Sequence, residues 1–200
     1  MIAKRVFDLL LSGVGLLLLS PVLIGIALWI KLDSPGGVMF RQARVGRHGR
    51  LFLIHKFRTM ASDAPQRGPQ ITVGADARIT RAGQFLRASK LDELPQLWDV
   101  WRGAMSLVGP RPEVPRYVAL YPADLRTIVL SVRPGMTDSA SLEYRDEARL
   151  LADASDPERC YVEQVMPTKL VLSARYVQTR SFAGDLALVW RTVLAVIGRR

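Results

Sequence analysis

Leu9-Leu-Leu-Ser-Gly-Val-Gly-Leu-Leu-Leu-Leu-Ser20-Pro21-Val-Leu-Ile-Gly-Ile-Ala-Leu-Trp-Ile30 is a run of 22 residues that carries no charge. As a helix it would reach about 33 Å, at about 1.5 Å per residue, which is enough to cross a bilayer core. A secretory signal peptide fits poorly, because its apolar region is usually shorter and no small-x-small cleavage site follows here. Spanning and turning back both remain open on these residues. Length favours spanning. Ser20-Pro21 at the middle of the run favours a return, since proline removes a backbone donor and breaks or kinks a helix. Ser20 can satisfy a carbonyl that the proline frees. Lys4 and Arg5 before the run, and Lys31, Arg41, Arg44, Arg47 and Arg50 after it, suit two ends on the cytoplasmic face. Asp8 is unusual so close to lipid, and pairing with Lys4 or Arg5 is expected.

The remainder of the 200 residues is polar enough to fold in water. Hydrophobic residues make up 49% and charged residues 23%, and the mean hydropathy of +0.13 reflects apolar residues concentrated in the first thirty. Such a chain is long enough to bury a core, and one main domain is the default. Net charge is +10 with a pI near 10.5, so an anionic partner is expected: nucleic acid, an anionic membrane or a phosphate-rich substrate. Arginine, which grips phosphate bidentately, carries most of the excess. The aromatics, 8% of the chain, are not interleaved with the arginines as stacking platforms would be, so nucleic acid is not the expected partner. Cys160 is the single cysteine, which excludes an internal disulfide and suits a reducing compartment. His48 and His55 are read as surface or strand residues with no ligand role.

Asp33-Ser-Pro-Gly-Gly37 is a turn that ends the apolar segment. Val38 to Val45, Gly46-Arg-His-Gly49 and Leu51 to Phe57 read as strand, turn, strand. Asp63 to Ala77 reads as a polar loop. Thr80 to Ser89 forms a short helix with Phe85 and Leu86 facing inward, and Pro95 to Trp101 forms another with Pro95 in its first turn. Asp92 and Glu93 then precede a helix N-terminus; the alternative starts that helix at Ser89, with Asp92 as a capping-box partner. Thr168 to Thr179 and Asp185 to Ile197 also read as helices. The last is too short to span a bilayer, and lies either in the interface, with Trp190, Arg199 and Arg200 at headgroup level, or docked on the core.

Asp92–Glu93 is the best chemical candidate. Adjacent carboxylates among Arg78, Arg81, Arg87 and Lys90 suit Mg²⁺ against a diphosphate, and one carboxylate can attack phosphorus. A plain charge pair at a helix N-terminus is the bland reading, and two residues alone do not exclude it. Lys56-Phe-Arg-Thr-Met60 presents Lys56 and Arg58 at a strand end, and Gly109-Pro-Arg-Pro-Glu113 presents Arg111 on a turn stiffened by prolines. No Walker motif, G-x-G-x-x-G, H-E-x-x-H or Ser/His/Asp arrangement is present.

In order along the chain, Lys4-Arg-Val-Phe-Asp8, Ser20-Pro21, Phe40-Arg-Gln-Ala-Arg-Val-Gly46, Lys56-Phe-Arg-Thr-Met60, Asp76-Ala-Arg-Ile-Thr-Arg-Ala-Gly83, Leu91-Asp-Glu-Leu-Pro-Gln-Leu97, Met105-Ser-Leu-Val-Gly-Pro-Arg-Pro112 and Arg133-Pro-Gly-Met-Thr137 resemble the monotopic phosphoglycosyl transferases, the bacterial sugar transferases. Each stretch alone is weak; the ordered set is specific. The resemblance implies an α+β, mostly helical fold: residues 1–32 as a re-entrant membrane helix broken at Ser20-Pro21, then residues 33–200 as a cytosol-facing catalytic domain with a small β-hairpin and interfacial amphipathic helices. It implies transfer of a sugar 1-phosphate from a UDP-sugar to undecaprenyl or another polyprenyl phosphate, with release of UMP, as the start of glycoconjugate or exopolysaccharide assembly. Asp92 would be the nucleophile that carries the phosphosugar, and Glu93 would act with Asp92 and Mg²⁺. Lys56, Arg58, Arg78, Arg87 and Arg111 would contact phosphate or nucleotide. Membrane lipid is an expected partner, and a second copy of the chain is a further candidate. The expected location is the cytoplasmic face of the bacterial inner membrane. Ala104 and Asp138-Ser-Ala-Ser-Leu142 differ from the commoner pattern and bear on the choice of sugar. The chain also looks like the minimal catalytic form, without the N-terminal membrane region of longer members. A non-catalytic membrane scaffold and a basic nucleic-acid-binding module are the rival readings.

Overall fold

A computed structural model describes residues 2–64, 76–144 and 147–198. Most of the loop expected over 63–77, and Arg199 and Arg200, lie outside the described residues. The fold is mostly helical with two small sheets. Helix α1 (Ile2–Asp33) leads into strands β1 (Met39–Val45) and β2 (Leu51–Phe57). Helices α2 (Arg81–Ser89) and α3 (Gln96–Arg102) flank a 3₁₀ turn, Leu91–Glu93. Strand β3 (Ser106–Val108), helices α4 (Pro115–Val118) and α5 (Ala123–Val129), and strand β4 (Gly135–Thr137) follow. The rest is helical: α6 (Ser139–Glu143), α7 (Glu147–Ala152), α8 (Pro157–Cys160), a π turn Tyr161–Val165, α9 (Met166–Thr179) and α10 (Phe182–Ile197).

Among the described residues α1 is the one helix long and apolar enough to cross a membrane. It remains helical through Ser20-Pro21 where a break was expected. The reason is local. Pro21 has no N–H to offer the carbonyl four residues back, that of Leu17, and the Ser20 hydroxyl donates to that oxygen at 2.7 Å. One stripe of α1 faces the protein along its whole length. Phe7, Leu16 and Leu19 pack with Leu97, Val100 and Met105, and Leu23, Ile26, Ala27 and Ile30 pack with Phe57 and Leu86. The spacing is helical, so the opposite stripe, with Leu10, Val14, Leu17, Leu18, Ile24 and Leu28, stays exposed.

Both ends of α1 are fastened. Asp8 does not pair with Lys4 or Arg5, as the sequence suggested. It is buried and accepts the N–H of Leu107, the middle residue of β3, at 3.1 Å, so the buried carboxylate is satisfied by a backbone donor. Arg5 instead donates to the carbonyls of Val100 and Trp101, at 2.7 and 2.8 Å, at the end of α3. Lys4 pairs with buried Asp185 of α10, which also accepts the Tyr176 hydroxyl at 2.7 Å. At the far end Arg58 donates to the carbonyls of Ser34 and Pro35 at 2.8 and 2.6 Å.

β1 and β2 form the expected antiparallel hairpin, with Val45 opposite Leu51 and Met39 opposite Phe57. Its turn passes through His48 and Gly49 at φ of 58° and 77°. β3 and β4 form a parallel pair that the sequence did not reveal, Ser106 opposite Gly135 and Val108 opposite Thr137. Phe85 does not point inward: Leu86 is fully buried, but Phe85 is 53% exposed, with its ring 5.4 Å from Trp29 on α1. A third cluster, built on Val114, Tyr117, Tyr161, Val165 and Leu170, joins α4 to α9.

Two glycines permit these approaches. A Cβ on Gly135 would lie 2.1 Å from the Gly109 nitrogen, and one on Gly83 would lie 2.0 Å from the Thr59 carbonyl oxygen. Both obstacles are backbone and cannot swing away. Gly135→Ala should therefore cost about 1–3 kcal/mol, read as a melting temperature about 2–10 °C lower in detergent. An unchanged melting temperature would mean that β3 and β4 separate freely.

Candidate active site

Lys90 closes α2 in the left-handed region, φ 59° and ψ 14°. The chain then reverses into the 3₁₀ turn Leu91–Glu93. The acidic pair thus sits on its own turn between two helices. A helix starting at Ser89 is excluded, since Ser89 is the last residue of α2.

Glu93 is the electrostatic centre. Lys56 of β2 donates to its Oε1 at 2.8 Å. Arg111 donates to Oε2 at 3.1 Å and makes a second, shorter bond to Oε1. Burial opposes the charge on Glu93, but Arg111 and Lys56 overcome it and hold the carboxyl well below the usual range. Arg111 in turn is held above its ordinary value, chiefly by Glu93. Burial outweighs Glu93 at Lys56 and lowers that ammonium from 10.5.

Asp92 behaves oppositely. Its side chain is buried, and Oδ1 has no hydrogen-bond partner among the described residues. Burial and then the Glu93 charge raise its carboxyl above 3.8, against pulls from Lys56, Lys90 and Arg87. Two neighbours in sequence are therefore a saturated carboxylate and an unsatisfied one.

Arg87 donates its Nε–H to Thr59 Oγ1 at 2.9 Å. It feels the charges of Asp92 and of the Asp76–Arg78 pair. Arg78 grips both oxygens of Asp76, at 2.6 to 3.1 Å. The expected cationic set is thus only partly gathered. Lys56, Arg87 and Arg111 converge on the acidic pair. Arg78 stands next to Arg87 and is bound to Asp76. Arg58 is sent to the end of α1. Arg58 lies one residue past the end of β2, and its guanidinium runs to the carbonyls of Ser34 and Pro35 rather than to the acidic pair.

Three supports were not legible in the sequence. Asp99 on α3 is buried and accepts the His55 backbone N–H at 2.9 Å, while its other oxygen meets His55 Nδ1 at 2.7 Å. This pins the strand beside Lys56 to the helix that follows Glu93. Glu113 receives Arg44 at 3.0 Å and the Tyr161 hydroxyl at 2.6 Å, which fixes the turn that carries Arg111. Burial and Glu113 together push the Tyr161 hydroxyl far above its usual range. Gly109 N–H bonds the Thr137 carbonyl at 3.0 Å and Gly135 N–H bonds that of Pro110 at 2.9 Å, fixing the same turn from the other side.

This arrangement belongs to a recognisable sequence family. Residues 1–199 match the bacterial sugar transferase family. The chain belongs to the bacterial sugar transferase family. It is 35% identical over 97% of its length to a UDP-N-acetylgalactosamine-undecaprenyl-phosphate N-acetylgalactosaminephosphotransferase of Aeromonas hydrophila, and spans 43% of that protein. It is 37% identical, over 97% of its length and 69% of the relative, to a UDP-glucose:undecaprenyl-phosphate glucose-1-phosphate transferase of Caulobacter vibrioides. It is 36% identical, over 95% of its length and 39% of the relative, to the Escherichia coli protein of that same description. The chain therefore spans less than half of two of these relatives.

For this sugar transferase, Glu93→Gln should leave Lys56 and Arg111 facing a neutral group. The cost should be about 1–3 kcal/mol, below that of a fully buried pair because about a third of the Arg111 side chain reaches solvent. Glu93 has a depressed native pKa, so its stabilisation is present above 4.5 and fades as pH falls below that value toward the native pKa. Denaturant melts of wild type and Glu93→Gln should accordingly draw together as pH falls below 4.5. A constant gap across pH would assign the loss to packing.

Proposed function

We propose that this chain transfers a sugar 1-phosphate from a UDP-sugar to undecaprenyl or another polyprenyl phosphate, with release of UMP. Asp92 is the nucleophile and Glu93 its partner. The names of the relatives supply the substrate classes, and the unpartnered, buried Oδ1 of Asp92 carries the assignment of the nucleophile. Glu93 cannot easily serve: its oxygens are occupied by N–H donors, and a carboxylate held so acidic is a weak base. Asp92 is raised in pKa and unencumbered, which makes it the better attacking group.

In this reading an Asp92 oxygen attacks the sugar-linked phosphorus. The P–O bond to UMP breaks, and UMP leaves with the electron pair. An oxygen of the polyprenyl phosphate then attacks the same phosphorus and displaces the Asp92 carboxylate. The products are a polyprenyl diphosphate sugar and free enzyme. Arg111, Lys56 and Arg87 are the cations placed to hold phosphate oxygens while charge redistributes. Of the two carboxylates expected to hold Mg²⁺, Asp92 has a free buried oxygen that would suit a hard cation, whereas the Glu93 oxygens are taken by Lys56 and Arg111. When bound, Mg²⁺ would supply neutralisation of the diphosphate charge.

The exposed stripe of α1 supports a monotopic placement. Both ends of the helix are tied to one polar body, by Arg5 and Asp8 at one end and by Arg58 at the other. A helix that crossed a bilayer would put those ends in different compartments. The reading is that α1, helical through Ser20-Pro21, lies in one leaflet with both ends on the cytoplasmic face of the inner membrane. The outer face of α10, with Phe182, Leu186, Trp190, Val193 and Leu194 exposed, lies in the interface beside it. The Phe182 ring meets Phe7 of α1 at 5.5 Å, so the two apolar faces are neighbours.

The decisive assay is UMP release from a panel of UDP-sugars with Mg²⁺ and undecaprenyl phosphate. Wild type should release UMP from a matching donor, and Asp92→Asn should lose at least about three orders of magnitude. UDP instead of UMP, or full activity in Asp92→Asn, would overturn the mechanism. Since Asp92 must be ionised to attack, kcat/KM should fall on acidification with a midpoint above 3.8.

Topology has its own test. In a Cys160→Ser background, cysteines at Ile2 and at Gly37, both exposed, should both react with a membrane-impermeant maleimide from the cytoplasmic side only. Labelling of one of them from outside would make α1 a spanning helix.

A further inference from the structure

Lys90 occupies a backbone position that disfavours it. At φ 59° a Cβ is strained, and helices that end in this way usually place glycine there. The conformation is required: the Lys90 N–H bonds the Arg87 carbonyl and the Lys90 carbonyl accepts the Glu93 N–H, each at 3.3 Å, so this residue makes the reversal between α2 and the acidic turn. The side chain is exposed. Its ammonium has no hydrogen-bond or ion-pair partner among the described residues, whereas Lys56, Arg87 and Arg111 are all engaged. Two residues further on is Asp92, whose carboxyl is close enough for the Lys90 charge to pull it down. The chain thus accepts backbone strain to keep an unengaged cation at the exposed edge of the site. Its helix, α2, leans on the membrane helix through Leu86 and Phe85.

We propose that Lys90 is a further binding residue of this site, its ammonium donating to a phosphate oxygen of a substrate. The inference rests on the reading of Asp92 as the reacting carboxylate. Two substrates bring phosphate: the donor diphosphate and the lipid acceptor. Engagement of a substrate phosphate would explain why a lysine is held where glycine is easier. A charge that merely complements the C-terminus of α2 would predict no change in phosphate binding on its removal.

The test is calorimetric titration of the detergent-solubilised full chain with UDP and, separately, with farnesyl phosphate, both with Mg²⁺. Lys90→Gly and Lys90→Asn both tolerate the left-handed conformation, so neither should misfold. Each should bind one probe on the order of tenfold more weakly, and Lys90→Arg should stay within about threefold of wild type. Lys90→Gly should also melt about 2–4 °C higher. Loss confined to UDP assigns the contact to the donor, and loss confined to farnesyl phosphate assigns it to the acceptor. Unchanged binding of both probes overturns the proposal, as does a wild type that binds neither. The mechanism is judged separately by UMP release in Asp92→Asn. Weakened binding in Lys90→Gly beside full turnover in Asp92→Asn would keep the phosphate contact and discard the nucleophile.

Discussion

The carboxylate of Glu93 is the joint on which the site is assembled. Three segments distant in sequence meet there: the hairpin through Lys56, the acidic turn itself and the proline-flanked turn through Arg111. Two cations on one carboxylate would repel each other without it, and neither could remain at moderate burial unpaired. The surrounding fold is organised to bring those partners within reach. Asp99 pins the strand beside Lys56 to α3, Glu113 and Tyr161 anchor the turn beside Arg111, and bare glycine contacts let β3, β4 and α2 close onto their neighbours. Each of these supports is buried and polar or sterically tight, so errors of position are costly and the geometry is well determined.

The same logic explains the charged residues around the apolar helix. Lys4, Arg5 and Asp8 look like membrane-flanking charges, and Arg58 looks like a phosphate ligand. Each is bound to protein: Lys4 to Asp185, Arg5 to the end of α3, Asp8 to β3, and Arg58 to the end of α1. Their common effect is to lay α1 along the domain. Arg58 matters most here, because a single residue, Phe57, separates it from Lys56. That short stretch joins the end of α1 to the Glu93 triad.

What was readable in the sequence follows physical range. The hairpin, the main helices and the apolar segment rest on local periodicity and turn chemistry, and they appear within a few residues of expectation. The parallel β3–β4 pair was invisible because three-residue strands carry no period, and their pairing depends on backbone approach at Gly109 and Gly135. Phe85 was assigned inward, yet the outer side of α2 meets the apolar helix α1, and Trp29 takes the ring there. At the site, the acidic pair was recognisable only through the ordered set of motifs. Its division of labour was not, because Asp92 and Glu93 are chemically near-identical until Lys56 and Arg111 arrive from elsewhere in the chain.

That division has an energetic side. Asp92 Oδ1 and Gln96 Nε2 are buried four residues apart without hydrogen-bond partners among the described residues. Each such group costs about 1–3 kcal/mol relative to a satisfied one, a burden that a scaffold selected for stability alone would shed. The neighbouring carboxylate shows that the fold can satisfy an acid fully at this place, since Glu93 accepts several donors from two cations. Leaving Asp92 unsatisfied while saturating Glu93 keeps one oxygen basic, poorly solvated and unattached. Those are the properties needed to attack phosphorus, and the Glu93 triad stabilises the turn on which the unsatisfied oxygen is held.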